Sequence, residues 1–370
     1  MTDDTDNTAA RFLHLRGQTL SKGEPIAPPL VSASMFHLPG LPEGPGYGRD
    51  DNPTVEGLEA GLSHLEGAPA LVFPSGMAAI AAALFACLRS GDRLLLPSDG
   101  YYTTRLLAEG FLTPFQVTVE TRPTQGFATG GFAGFDVIFV ETPSNPGLDL
   151  VDIAAIVAAA SGTGAHVIVD NTTMTPYGQR PLDLGASILV ASDTKAPNGH
   201  SDLLLGHAAS ADPALISRMR DWRKLAGGIP GAFECWLAHR GLETLEIRFQ
   251  RMCVSAGIVA RRLADHPAIQ AIRYPGLPED PSHALAQRQM QRFGFLIGLT
   301  FASEEMAESV INTCEMLRPA TSFGGVHSSA ERRARWGDAV APGFVRLSVG
   351  IEPVEPLWAA LKSALDSACA

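Results

Sequence analysis

The chain has no apolar run that could cross a bilayer. Its most apolar stretch, Met77 to Leu88, spans 12 residues, whereas a spanning helix needs about 20, so it reads as a buried helix. Positive charge is also scarce: Lys and Arg number 28 against 39 Asp and Glu, a net charge of -11. Phosphate contacts require basic clusters, so nucleic acid is excluded as a partner. The nearest approach to a basic run, Glu331-Arg332-Arg333-Ala334-Arg335, is short and reads as a solvated or interface segment in a loop. The five cysteines (Cys87, Cys235, Cys253, Cys314, Cys369) contain no CxxC pair. They read as reduced thiols of a cytoplasmic protein, mostly packed in the core. The opening residues Met1 to Asp6 are acidic and polar, unlike a secretory signal. GxxxxGK[ST], GxSxG and HExxH are all missing, and the 10 histidines include no i, i+4 pair. No P-loop, hydrolase elbow or helical metal site is therefore expected.

What is present is an alternation. Short runs rich in Val, Ile and Leu at 71–73, 93–96, 116–119, 137–140, 167–169 and 188–191 alternate with helical patterns at 77–88, 102–109 and 151–160. Unbroken apolar strands suit a sheet covered on both faces, so the expected class is α/β with a mostly parallel sheet, one strand of which could run against the rest. The 370 residues suffice for two domains. Residues 1–50, with Pro25, Pro28, Pro29, Pro39, Pro42 and Pro45 and little periodicity, are expected to form an arm lying over a neighbouring subunit. Residues 51–235 are expected to form the large domain. A smaller α+β domain should follow at 236–370, with strands near 272–274, 296–301 and 345–348 and a closing helix near 356–367.

Polar residues collect just past the candidate strands: Ser75, Tyr101, Asn145, Asp170 and Lys195. Ligands of open α/β sheets bind outside the carboxyl ends of the strands. Ser75-Gly76-Met77 opens a helix, where free amides and the dipole suit a phosphate, although a serine N-cap with a glycine turn explains it equally well. Ser192 and Thr194 flank Lys195 with two more hydroxyls. Lys195 and Asp170 together fit pyridoxal 5′-phosphate (PLP), whose aldehyde takes a lysine amine and whose pyridine nitrogen is kept protonated by an acid. The same pair could instead be a structural ion pair. Tyr101 could lie on a cofactor ring or simply be a half-buried aromatic.

An ordered series of motifs settles the comparison. It runs from Tyr47-Gly48-Arg49-Asp50-Asp51-Asn52-Pro53-Thr54 through Ser75-Gly76-Met77-Ala78-Ala79-Ile80, Glu141-Thr142-Pro143-Ser144-Asn145-Pro146, Asp170-Asn171-Thr172 and Ser192-Asp193-Thr194-Lys195 to Gly199-His200-Ser201-Asp202. It continues with Arg240-Gly241-Leu242-Glu243-Thr244-Leu245, Tyr274-Pro275-Gly276-Leu277-Pro278, Ser322-Phe323-Gly324-Gly325-Val326 and Arg346-Leu347-Ser348-Val349-Gly350-Ile351-Glu352. Over nearly the whole span from Pro25 to Ile351 the chain resembles the Cys/Met-metabolism (trans-sulfuration) family of fold-type I PLP enzymes.

The resemblance implies a seven-stranded-type sheet flanked by helices, with Lys195 as the Schiff-base lysine and Asp170 as the pyridinium partner. It implies phosphate contacts from Ser75, Gly76, Met77, Ser192 and Thr194, with Tyr47 and Arg49 reaching in from a neighbour. Tyr101 would stack on the ring and assist catalysis, and Asn145 would meet its phenolic oxygen. Arg346 would clamp the substrate carboxylate, and Ser322 would help position it or Lys195. A homotetramer built from dimers with shared active sites is implied as well.

The departures from the family pattern are Tyr102 after Tyr101, His327 where an acid is frequent, Gly46 before Tyr47, and Ala196 after the lysine; the resemblance implies that these positions bear on the distal end of the substrate. The expected activity is cystathionine γ-lyase-like cleavage of L-cystathionine to cysteine, 2-oxobutanoate and ammonia. The alternatives are γ-replacement, as in cystathionine γ-synthase or O-acylhomoserine sulfhydrylase, and β-elimination. Thr103 weighs against methionine γ-lyase. A PLP-binding protein without turnover is the reading from a different class.

Overall fold

A computed structural model describes residues 2–40 and 44–369, with the side chains of residues 2–6 left aside; Met1 and Pro42 lie outside the described residues. Seven strands form the first sheet: β1 (Ala70–Phe73), β2 (Arg93–Pro97), β3 (Thr118–Arg122), β4 (Val137–Glu141), β5 (His166–Asp170), β6 (Ile188–Ala191) and β7 (Gly206–Ala209). Their order is β1-β7-β6-β5-β4-β2-β3, and only β7 runs against its neighbours. The two-faced burial expected of apolar parallel strands is present. Leu94, Leu96, Phe139, Ile168 and Val190 pack on one face with the helix Gly76–Cys87, while Leu95, Ile138, Val140, Val167 and Val169 pack on the other with Ile153 and Ile156.

Two strands depart from expectation. β3 begins two residues after the apolar start at Gln116 and runs on through polar residues, because it is an edge strand whose side chains are only partly covered. β7, whose sequence is Gly-His-Ala-Ala, carries no run of large apolar residues, and small side chains let it sit between β1 and β6.

The N-terminal region also differs. Residues Thr2–His14 form a helix, α1, whose Phe12 is buried against the helix α2 (Pro53–Glu66). Only the stretch after it is irregular. That stretch is tied to its own subunit where Trp236 Nε1 donates to the Pro28 carbonyl at 2.9 Å and Asn52 Nδ2 to the Val31 carbonyl at 2.9 Å. Asn52 also caps α2, its side chain accepting from the Thr54 amide at 2.9 Å with Pro53 at the first helical position.

The second sheet contains β8 (Ala271–Arg273), β9 (Leu296–Thr300), β10 (Arg318–Pro319), β11 (Ser329–Arg332) and β12 (Phe344–Ser348), in the order β10-β11-β12-β9-β8. The closing helix is Val354–Cys369. The division expected at residue 235 falls inside the helix Ala232–Leu242. That helix and the next, Leu245–Ala264, share one continuous core with α2 and the second sheet.

β11 corrects the reading of Glu331-Arg332-Arg333 as a solvated loop. Glu331 is 6 %, Arg332 8 % and Arg333 5 % exposed. Arg332 pairs with Glu304 and Glu308, and Arg333 with Glu331 and Asp338. Mutual pairing neutralises the charges that composition alone would assign to solvent.

Candidate active site

Ser75, Tyr101, Asn145, Asp170 and Lys195 converge at the carboxyl ends of β1, β2, β4, β5 and β6 on a cavity of about 310 Å³. Gly76, Met77, Ser192, Thr194, Ser322 and Arg346 line the same cavity. Tyr47 and Arg49 do not: they stack on each other, the guanidinium 5.5 Å from the ring centre, on an exposed turn elsewhere. His327 and Gly46 are likewise exposed and outside the cavity lining, while Tyr102 packs edge-on against Tyr101 with ring centres 5.6 Å apart.

The turn that opens the helix Gly76–Cys87, α3, is built for close approach. Ser75 Oγ accepts the Ala78 amide at 3.1 Å, which is the serine cap. A side chain on Gly76 would meet Ser192 Cβ at 2.7 Å, and one on Gly206 would strike the Gly76 backbone at 2.5 Å. Two glycines therefore press the start of α3 against β6 and β7, leaving its first amides for an anion. Thr194 commits its hydroxyl to β7, donating to the Leu205 carbonyl at 3.2 Å and accepting its amide at 3.0 Å.

Asp170 and Glu141 are register partners at the ends of β5 and β4. Asp170 Oδ1 accepts the Thr172 amide at 2.9 Å and its hydroxyl at 2.5 Å, and that hydroxyl accepts the Ser192 amide at 2.9 Å. Glu141 Oε2 accepts the Tyr101 amide at 2.6 Å. Burial pushes both carboxyls up, Glu141 further, because the Asp170 charge adds to its burial while Thr172, Lys195 and His207 hold Asp170 down. Of the two, Glu141 is pushed further toward its neutral form.

Lys195 Nζ donates to Ser322 Oγ at 2.7 Å and lies 5.2 Å from the Phe323 ring centre, whose ring also meets the Arg346 guanidinium at 4.9 Å. Ser322 holds this place with a left-handed φ of 80°, a cost tolerated at functional positions. Burial first, then the Arg346 charge, pull the Lys195 pKa down from 10.5 to about 8, against Asp170 and Glu331. In protein stripped of cofactor, trace labelling with acetic anhydride mapped by mass spectrometry should show Lys195 half-maximally reactive near pH 8. A midpoint near 10.5, the ordinary lysine value, would contradict this environment.

Arg346 Nη1 donates to Asn145 Oδ1 and Nη2 to the Ser322 carbonyl at 3.1 Å, while its buried Nε has no hydrogen-bond partner. A carboxylate beside this guanidinium would satisfy that orphan donor.

Behind the lysine segment, His207 on β7 bridges Asp193 (Nδ1–Oδ1, 2.8 Å) and Glu66 (Nε2–Oε1, 3.2 Å), all three nearly sealed from solvent. Burial lowers the His207 pKa, but the two carboxylates outweigh it and raise the pKa from 6.5 to about 10. A raised histidine stabilises the fold fully below about pH 6.5 and loses that contribution as pH climbs through about 10. The urea midpoint should therefore fall from pH 7 to 10 more steeply in wild type than in His207→Gln. At about 1.4 kcal/mol per pKa unit, the part of the stability that depends on His207 protonation is on the order of a few kcal/mol. Equal slopes in the two proteins would refute this.

The geometry fits PLP: an anion cradle at α3, an amine at Lys195, and a buried acid at Asp170 on one cavity. Several contributors escaped the sequence reading. Glu141 and Thr172 stand within the motifs without an expected role, and Arg333, expected in a solvated or interface segment, lines the cavity. The position of Glu141 at a strand end like the others was the available signal.

An α/β protein with these groups at its strand ends is of the PLP-dependent enzyme class. The chain belongs to the Cys/Met metabolism PLP-dependent enzyme family, which matches residues 12–366. A provisionally named cystathionine gamma-lyase of Streptomyces coelicolor is 48% identical over 353 residues, covering 93% of this chain and 90% of the relative. The cystathionine gamma-synthase of Mycobacterium tuberculosis is 38% identical, covering 91% of each chain. The crystal structure of metB from Corynebacterium glutamicum superposes with a TM-score of 0.93 at 33% identity, covering 97% of this chain and 98% of that one.

Proposed function

We propose that the protein cleaves L-cystathionine, or a related γ-substituted sulfur amino acid, with uptake of one water, to cysteine, 2-oxobutanoate and ammonia. Bound PLP supplies an aldehyde that takes up an amine and a cationic ring that accepts the electrons of a breaking Cα–H bond. Asp170, Gly76, Met77, Ser75, Ser192, Thr194 and Asn145 are the groups of this chain that hold it. The ionised Asp170 keeps a proton on the ring nitrogen. Lys195 Nζ, aligned by Ser322 Oγ, would take the α-proton and then one from Cβ and deliver the two to the leaving sulfur and to Cγ, with Tyr101 assisting at the sulfur. Arg346 fixes the α-carboxylate. The single observation that carries an amino acid as substrate is the unpartnered Arg346 Nε beside Lys195 in one cavity.

Purified holoenzyme should release 2-oxobutanoate from cystathionine, and absence of the oxoacid would remove the lyase assignment. The relationship to a cystathionine gamma-synthase favours γ-replacement as the second reading. An O-acylhomoserine supplied with cysteine separates the two, because replacement yields cystathionine and elimination yields oxoacid.

The same reading makes the chain a homotetramer, a dimer of dimers with shared active sites. Residues 51–235 would hold the cofactor and 236–370 complete the substrate side, while within the arm proposed at 1–50 the turn bearing Tyr47 and Arg49 would face a neighbour. Support comes from Ile26, Met35 and Leu38, exposed at 87 %, 77 % and 75 % within one short segment, since large apolar side chains gathered at a surface suit a contact. It comes also from Tyr47 and Arg49, which stand ready for another copy's cavity. Light scattering should give four times 39.1 kDa; a monomer would exclude the arrangement.

A further inference from the structure

The Arg346 fork is itself held by a second layer of charge that the chemistry above does not use. Glu331 on β11 is the register partner of Arg346 on β12. Its Oε2 accepts from Arg346 Nη2 at 3.2 Å and from Arg333 Nη1 at 2.7 Å. Its Oε1 accepts the Trp336 indole N–H at 2.5 Å. Arg333 in turn reaches Asp338 through Nε at 2.8 Å and Nη2 at 2.6 Å. The chain Arg346–Glu331–Arg333–Asp338 alternates in sign and sums to zero, and its side chains are 6 % exposed or less.

Buried ion pairs contribute little net stability compared with well-packed apolar side chains, because each charge is stripped of water. A four-member buried chain ending on the guanidinium that alone, among the described residues, has a buried and unpartnered Nε is therefore better explained by what it does to that guanidinium. With Nη1 on Asn145 and Nη2 on Ser322 and Glu331, rotation of the fork is blocked and Nε is left over. Without the Glu331 charge, Arg346 would lose its ion-pair partner and face the like charge of Arg333, which Asp338 alone would then offset, so the fork would be held less firmly.

We infer that Glu331, fixed by Arg333 and Trp336, is a positioning residue that holds Arg346 open for the carboxylate of an amino-acid substrate. The inference rests on the reading that Arg346 binds that carboxylate. The test is therefore designed to let the two fail separately.

Holoenzyme is titrated with glycine and with methylamine, which differ only by the carboxylate, and binding is followed by the cofactor absorbance. Wild type should bind glycine the more tightly; equal binding would defeat the carboxylate reading itself. Glu331→Gln keeps the shape and the oxygen for Trp336 but removes the charge. It should weaken glycine about tenfold or more while leaving methylamine within about twofold, within the context scatter of such effects. If glycine is unaffected, or both ligands weaken together, Glu331 is not a positioning residue. Should Glu331→Gln fail to fold, Trp336→Phe decides in its place, since Trp336 is 53 % exposed and tolerates change. It should weaken glycine alone, by about threefold, and an unchanged or parallel response overturns the inference.

Discussion

Lys195→Ala should lower turnover by about 10³-fold or more, with the fold intact, because one amine is asked both to tether the cofactor and to carry the proton. No neighbour can replace it. Among the described residues the other lysines, Lys22, Lys224 and Lys362, are outside the cavity, and the closest cations, Arg346 and Arg333, are guanidiniums engaged in ion pairs. Cofactor absorbance should shift and borohydride should no longer fix the label. Substantial residual turnover, or borohydride labelling that persists at another residue, would overturn the assignment of Lys195.

Asp170→Asn should cost about 10²- to 10³-fold in kcat, a loss of the size found when one preorganised electrostatic group is removed. The substitution is nearly isosteric and leaves Thr172 able to hydrogen-bond the amide oxygen, so it isolates charge from shape. Its second consequence is a fall in the Glu141 pKa, since the Asp170 charge is the cause after burial that holds that carboxyl up. Steady-state kinetics across pH will read both effects, and unchanged kcat would show that the buried acid is not the ring's partner.

Long, strongly patterned features were legible in the sequence. The five strand ends, the glycine at the start of α3 and the lysine segment needed only local reasoning, because apolar runs and polar punctuation are local signals. The chain's family, fold class and cofactor followed from the ordered motifs. What failed did so where tertiary contacts override composition. Gly206-His207-Ala208-Ala209 forms an interior strand because small residues admit the α3 turn, and no apolar run announces it. Glu331 and Arg333 look like surface residues until Arg346 on the neighbouring strand and Asp338 beyond the turn supply their counter-charges. The polar start of the chain is helical because Phe12 finds a slot on α2, a partnership invisible in a window of a dozen residues.

The continuity of the core has a consequence for how the two sheets are joined. Leu58 and Leu62 of α2, Leu242, Phe249 and Val259 of the two following helices, and Leu296, Leu347 and Leu361 beyond them form one apolar body. A wedge that opened between the two sheets would have to wet that body, at roughly 25 cal/mol for every Å² exposed. Ser322, with its left-handed backbone, accepts hydrogen bonds from both Lys195 and Arg346, so the amine and the guanidinium are tied to each other across that same undivided body.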